Sequence, residues 1–345
     1  MKLSIRRSLI LSIVGVASAI VMHPIAAFAE TELVLSSWLP PRHAVTVGAI
    51  KPWAKQVEEV TEGRVTVRVL SKPLGPPPAH FDMAAKGVAD ITYGLHSFTT
   101  DDRFVRSRIG QFSFIGDDAA TASKAFWNVY TDQLDAQKEH AGTKLLGLFV
   151  HGPGILHNNV RKIESADDFA GLKIRVPGGY ISELMTDLGA TTLFMSAGEV
   201  YEKLSRGVID GVTFPDDALT SFKLTDDLKY SMTAPGGMYN TTWFLVMNEA
   251  KWNEISAEDQ AAIEAISGEA FAQLVGDVWN ASDARSRGII ADTDIEVHSA
   301  NEAVLKAIKD AAAKHEAAWS EALAAQGYDG SAALRAMRKE AGVEF

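Results

Sequence analysis

The chain has 345 residues, no cysteine, 47% hydrophobic residues and a formal charge of −11. Without cysteines there is no disulfide framework and no thiolate chemistry, so an apolar core must carry the stability. So acidic a chain is a poor partner for nucleic acid or an anionic membrane surface, although a local cationic pocket is compatible with it.

Lys2, Arg6 and Arg7 precede an apolar run over residues 8–22, followed by His23, Pro24 and the small-residue segment Ala27-Phe28-Ala29. This is the pattern of a secretory signal peptide with cleavage after Ala29, so the mature chain is expected to start at Glu30 in the periplasm. No later segment reaches a membrane-spanning length, so no stable insertion of the mature chain is expected.

Through the first half of the mature chain, short apolar runs alternate with helical patterns. Residues 33–37 read as a strand. Val47, Ile50, Trp53, Ala54, Val57 and Val60 then recur at helical spacing over 45–62, and Gly63 closes that helix. A strand over 65–70 follows, then a proline-rich loop over 72–78, a short helix over 79–86 and a strand over 90–93. A second series follows a helix over 119–136. It comprises strands at 144–150, 155–158 and 172–176, a helix at 180–188, a strand at 191–194, a helix at 198–205 and a strand at 208–212. Two α/β series in one chain predict two lobes. His151-Gly152-Pro153-Gly154 interrupts what otherwise reads as one long strand pair, and is taken as a crossing between lobes. The apolar run 243–247 suits the return crossing. Beyond Lys251 the pattern is almost wholly helical, with an apolar stripe through Ile255, Ile263, Ile266, Phe271, Leu274 and Val278 and a last amphipathic stretch over 302–326. On this reading residues 30–152 with 240–280 form the first lobe, and 153–239 with 281–345 the second.

Several segments, in order, carry a family resemblance. They are Gly171-Leu-Lys-Ile-Arg-Val-Pro177, Leu188-Gly-Ala190, Met195, Glu199-Val-Tyr201, Leu204, and Gly207-Val-Ile-Asp-Gly211 before Pro215. Lys86-Gly-Val-Ala-Asp90, residues 112–115 and Met247-Asn-Glu-Ala-Lys-Trp252 extend the match over nearly the whole mature chain. The chain resembles the DctP-type extracytoplasmic solute-binding proteins of TRAP transporters. That resemblance implies a two-lobe α/β Venus-flytrap fold joined by crossing strands and a long helix, with the solute held in the interlobe cleft. It further implies delivery to a permease of a small and a large membrane subunit, driven by a sodium gradient rather than ATP, with no cofactor.

Arg175, in the Lys-Ile-Arg-Val-Pro pattern, is the residue that the resemblance places on the ligand carboxylate, where a planar guanidinium offers two parallel donors. Two departures make the expected pocket less polar than is usual for the family. Gly154 stands where many members carry a second arginine, and Phe214 where they carry an asparagine. Phe214 is therefore expected to pack on a carbon chain, a ring or a cationic head group. Trp38, His43, His96 and Asn159 are further candidates because they flank strand ends or the first crossing, and Asn240 because it precedes the second. Phe98, His151 and Tyr239 lie in similar places. No histidine has the spacing of a metal site.

A small monocarboxylate is the expected solute, and a small amine or zwitterion is the second reading, with Asp216 and Asp217 as its counter-charges. A periplasmic sensor lobe and an exported hydrolase are the competing classes. Against the hydrolase, the chain has no Gly-x-Ser-x-Gly, P-loop, Gly-x-Gly-x-x-Gly or His-Glu-x-x-His motif.

Overall fold

The computed structural model describes residues 31–99 and 101–343; the leader with its cleavage site lies outside them. Eleven strands appear in chain order: β1 (Thr31–Ser36), β2 (Val65–Val69), β3 (Ile91–Leu95), β4 (Thr143–Val150), β5 (Ile155–Asn158), β6 (Lys173–Val176), β7 (Thr191–Phe194), β8 (Gly211–Phe214), β9 (Tyr230–Thr233), β10 (Thr242–Asn248) and β11 (Glu296–Ser299). They build two separate sheets, one ordered β2-β1-β3-β10-β4 and the other β11-β9-β5-β8-β6-β7. In the first, β10 runs antiparallel to both β3 and β4; in the second, β5 runs antiparallel to β8 and β9.

Strands β3 and β10 are buried along their whole length. That is the burial expected of strands covered on both faces, and it explains why they read as continuous apolar runs rather than as alternation. By contrast β11 is a largely exposed edge strand, Glu-Val-His-Ser, paired parallel to β9. It carries little of the apolar signal by which strands are recognised and falls in the stretch read as helical. The strand expected at 208–212 begins instead at Gly211. Gly207 ends the preceding helix with φ of 68°, and the backbone N–H of Asp210 donates to Lys173 O at 2.7 Å before pairing with β5 begins.

Three passages join the sheets. Residues 151–154 lead from β4 to β5, residues 234–241 lead from β9 to β10, and the helix Glu269–Ala291 runs beside both sheets. The apolar half of this helix, Phe271, Val275 and Trp279, recurs every four residues and faces the first sheet, with Phe271 5.8 Å from the Phe149 ring. Its buried polar half meets the helix Asp216–Ser221 after β8. There Asp283 accepts from the Asp217 backbone N–H at 2.8 Å, and Ser286 and Thr220 share a hydrogen bond of 2.6 Å.

The C-terminal segment touches both layers. Glu302–Ala324 lies against Tyr180–Asp187, with Lys314 and His315 both 2.9 Å from Asp187. Gly330–Glu340 packs on Ala119–Leu134, and Arg338 donates to Ser113 O at 3.0 Å.

Candidate solute-binding cavity

Strand β6 lies between β7 and β8, and its third residue, Arg175, is 1% exposed. Its neighbours account for two of its five N–H groups. Nε donates to Met195 O at 3.0 Å and Nη1 to Thr213 O at 3.3 Å, while the Phe214 ring lies 4.2 Å from Cζ. Among the described residues no carboxylate pairs with it. Burial lowers its pKa from the usual guanidinium range to about 10, with Tyr239 and Glu199 partly opposing, so the group is still a cation at neutral pH. A buried cation without a counter-ion is an expensive arrangement, and it suits a site whose counter-ion arrives with the ligand.

Arg175 opens onto a small cavity between the sheets. Its walls are aromatic: Trp38, Phe98, Phe214, Phe222, Tyr239, Trp243 and Trp279 line it. Trp38 and Trp243 stack at 5.4 Å and 4°, and Trp243 stacks in turn on Phe149. Among the described residues His151 and His43 are the remaining titratable members of the lining, and no carboxylate belongs to it.

The described residues hold the two layers closed around this space. Pro177 ends β6, and Gly178 and Gly179 follow with φ of 83° and 69°. Side chains there would collide with Ser97 O at 2.7 Å and Gln111 Oε1 at 2.4 Å. Because both are glycine, Ser97 Oγ can donate to Pro177 O at 3.0 Å and Gln111 can accept from Tyr180 N at 3.1 Å. On the other side His43, after β1, meets Asp217, after β8, at 3.4 Å, both nearly fully buried. His43 Nδ1 accepts from Val45 N–H, which places the ring proton on Nε2 facing Asp217. Burial lowers the His43 pKa and the Asp217 charge opposes that, while burial pushes Asp283, below this pair, up to about 7.

The family model for bacterial extracellular solute-binding protein, family 7, matches residues 35–322. The chain belongs to this DctP family. As a DctP protein it is a solute-binding subunit of a TRAP transporter, which works with a membrane permease and is not an enzyme. Among solved structures, a TRAP periplasmic solute-binding protein from Bordetella bronchiseptica with bound (R)- and (S)-mandelate is 38% identical at a TM-score of 0.87, covering 90% of this chain and 99% of that one. A marine metagenome protein specific for aromatic acid ligands, in complex with metahydroxyphenylacetate, is 30% identical at 0.83, covering 91% and 99%. A Rhodoferax ferrireducens protein with copurified benzoate is 27% identical at 0.83, covering 90% and 98%. The two-lobe α/β architecture expected from the sequence is that of these proteins. No described helix is long and apolar enough to cross a membrane.

Of the residues singled out from the sequence, Arg175, Phe214, Trp38 and His43 line the cavity of this DctP protein, and His96, Asn159 and Asn240 do not. His96 turns into the first layer's core, its Nε2 2.9 Å from that of His140 among Phe81, Phe104, Phe126 and Phe244. Asn159 follows the end of β5 remote from the crossing and donates to Asp227 O at 3.2 Å. Asn240 spends its amide on the two crossings, donating to His151 O and Gly152 O and accepting from the N–H groups of His151 and Thr241. Both departures from the family pattern have a structural counterpart. Phe214 packs on a cationic group, but that cation is the protein's own Arg175. A Cβ at Gly154 would sit 2.3 Å from the Tyr239 ring, so Tyr239 fills the space a side chain there would need. Trp243 and Trp279 were not singled out because each reads as an ordinary apolar member of a strand or a helix stripe.

Proposed function

We propose that this chain captures a small aromatic monocarboxylate and delivers it to its TRAP permease. The observation that carries the reading is Arg175, a buried guanidinium with three N–H groups unused and no carboxylate partner among the described residues, at the wall of an aromatic-lined cavity. It is the sole arginine or lysine among the described residues of that lining, so a second carboxylate on the ligand would be buried without a counter-charge. An amine finds no carboxylate there either. The aromatic acids bound by the three similar structures support the same class. Mutually packed indole and phenyl walls bury a flat ring with little ordering cost, because they are already fixed by their neighbours. We read residues 1–29 as the exporting signal peptide and the two sheets as the cores of lobes bounded near residues 152, 239 and 280.

A thermal-shift panel of benzoate, phenylacetate and mandelate against succinate and benzylamine tests the reading. The aromatic monocarboxylates are expected to raise the midpoint and the others are not, since a ligand of the folded state stabilises it by mass action. A rise with benzylamine or succinate alone overturns it.

A further inference from the structure

We propose that the cavity carries a second polar anchor, formed by His151 Nε2 and Trp279 Nε1, which selects for a hydroxyl group on the bound acid. The proposal rests on the reading that Arg175 takes the carboxylate. The other side-chain N–H groups of the aromatic wall are already used: Trp38 Nε1 donates to Tyr93 O at 3.0 Å and Trp243 Nε1 to Thr241 Oγ1 at 3.0 Å. By contrast His151 Nε2 and Trp279 Nε1 are buried and have no hydrogen-bond partner among the described residues. Both residues line the cavity with Arg175, and their rings lie 6.0 Å apart at 64°.

The roles of the two atoms follow from their surroundings. His151 Nδ1 sits 2.5 Å from Gly152 O, and a carbonyl only accepts, so Nδ1 carries the proton. Burial, with the Arg175 charge nearby, holds the ring neutral, with a pKa lowered to about 4. Nε2 is therefore a bare acceptor, while an indole N–H can only donate. Leaving such a buried pair unmade is costly. A hydroxyl is the smallest group on a ligand that donates to one and accepts from the other. A phenol and a secondary alcohol share this chemistry.

Calorimetry on the mature protein, comparing each parent acid with its hydroxylated form, provides the test. Benzoate is set against 3- and 4-hydroxybenzoate, which report a phenol, and phenylacetate against mandelate, which reports an alcohol. At least one hydroxylated acid is expected to bind about tenfold or more tighter than its parent, because a site built for a hydroxyl rejects the analogue lacking it. Trp279→Phe keeps a ring without the N–H, and His151→Asn keeps a donor towards Gly152 O without Nε2. Each is expected to cut the hydroxylated-to-parent affinity ratio to below about threefold. Parents that bind as tightly as every hydroxylated form overturn the anchor while leaving the Arg175 reading intact. A ratio that persists in both variants places the anchor elsewhere and also overturns it. If no aromatic acid binds at all, the carboxylate reading falls and takes the anchor with it.

Discussion

Replacing Arg175 with methionine should separate binding from folding. In the ligand-free protein the guanidinium is a buried charge with no counter-ion among the described residues, and the fall of its pKa to about 10 corresponds to roughly 3 kcal/mol disfavouring the charged form. Against that stand two hydrogen bonds to Met195 O and Thr213 O and the Phe214 ring, each worth on the order of 1 kcal/mol. These terms nearly cancel, and methionine refills most of the volume, so the ligand-free variant should melt within a few degrees of wild type. Binding should behave quite differently. A ligand carboxylate would enter the same cavity with no cation, at a cost of roughly 2–5 kcal/mol, or about 30-fold to several thousand-fold in affinity. Arg175→Lys should recover only part of this, because an ammonium is a point charge without the two-pronged donor geometry. Calorimetry with a carboxylate identified by the thermal-shift panel supplies the affinities, and the ligand-free melting midpoint supplies the folding control. A methionine variant that folds normally and binds that acid within about threefold of wild type, under ~1 kcal/mol, would refute the clamp.

Three further outcomes are expected. Buried His140, His151 and His157 have pKa values lowered to about 4, 4 and 3, so between pH 6.5 and those values the unfolded chain binds protons that the native one does not. Each therefore contributes stability that is present above pH 6.5 and lost as pH falls, at about 1.4 kcal/mol per pH unit. Asp283, raised to about 7, acts in the opposite sense over the same window, so these four groups together lose on the order of 3 kcal/mol per unit between pH 6 and 4.5, and buried His96, held well below the usual histidine range, adds to the loss. A melting midpoint that stays flat over that window contradicts this account. Gly154→Ala forces a methyl into the Tyr239 ring and its carbonyl, 2.3 and 2.4 Å away, so denaturant unfolding should show a loss of at least about 1–3 kcal/mol, and an unchanged midpoint would mean the crossing is looser than described. If the lobes open to admit solute, X-ray scattering should give a smaller radius of gyration at saturation, and an unchanged radius with binding proven independently removes the flytrap mechanism.

Most of the β-α order, the crossing at His151–Gly154 and Arg175 as a site candidate were legible in the chain, because each is written locally. Apolar periodicity names helices and strands, a Gly-Pro-Gly run breaks them, and the Lys-Ile-Arg-Val-Pro motif is contiguous. β11 was not legible, since an exposed edge strand of four residues carries almost no apolar pattern. Position at a strand end brought Trp38 and His43 to the cavity but failed for His96 and Asn159. A strand end says only that a residue is near a layer's rim, and the packing around it decides which way it turns.

What the sequence determined by itself is therefore most of the elements, though neither β9 nor β11, and the cation at Arg175. The composition of the wall around that cation was decided only in three dimensions. Trp38, Phe98, Phe214, Trp243 and Trp279 come from positions spread across more than 240 residues and two sheets. Locally each satisfies the same apolar rule as a core residue. Only the closing of one layer on the other makes some of them core and leaves these facing a space where a solute fits, because burial depends on what arrives from elsewhere in the chain and not on the residue's own neighbours.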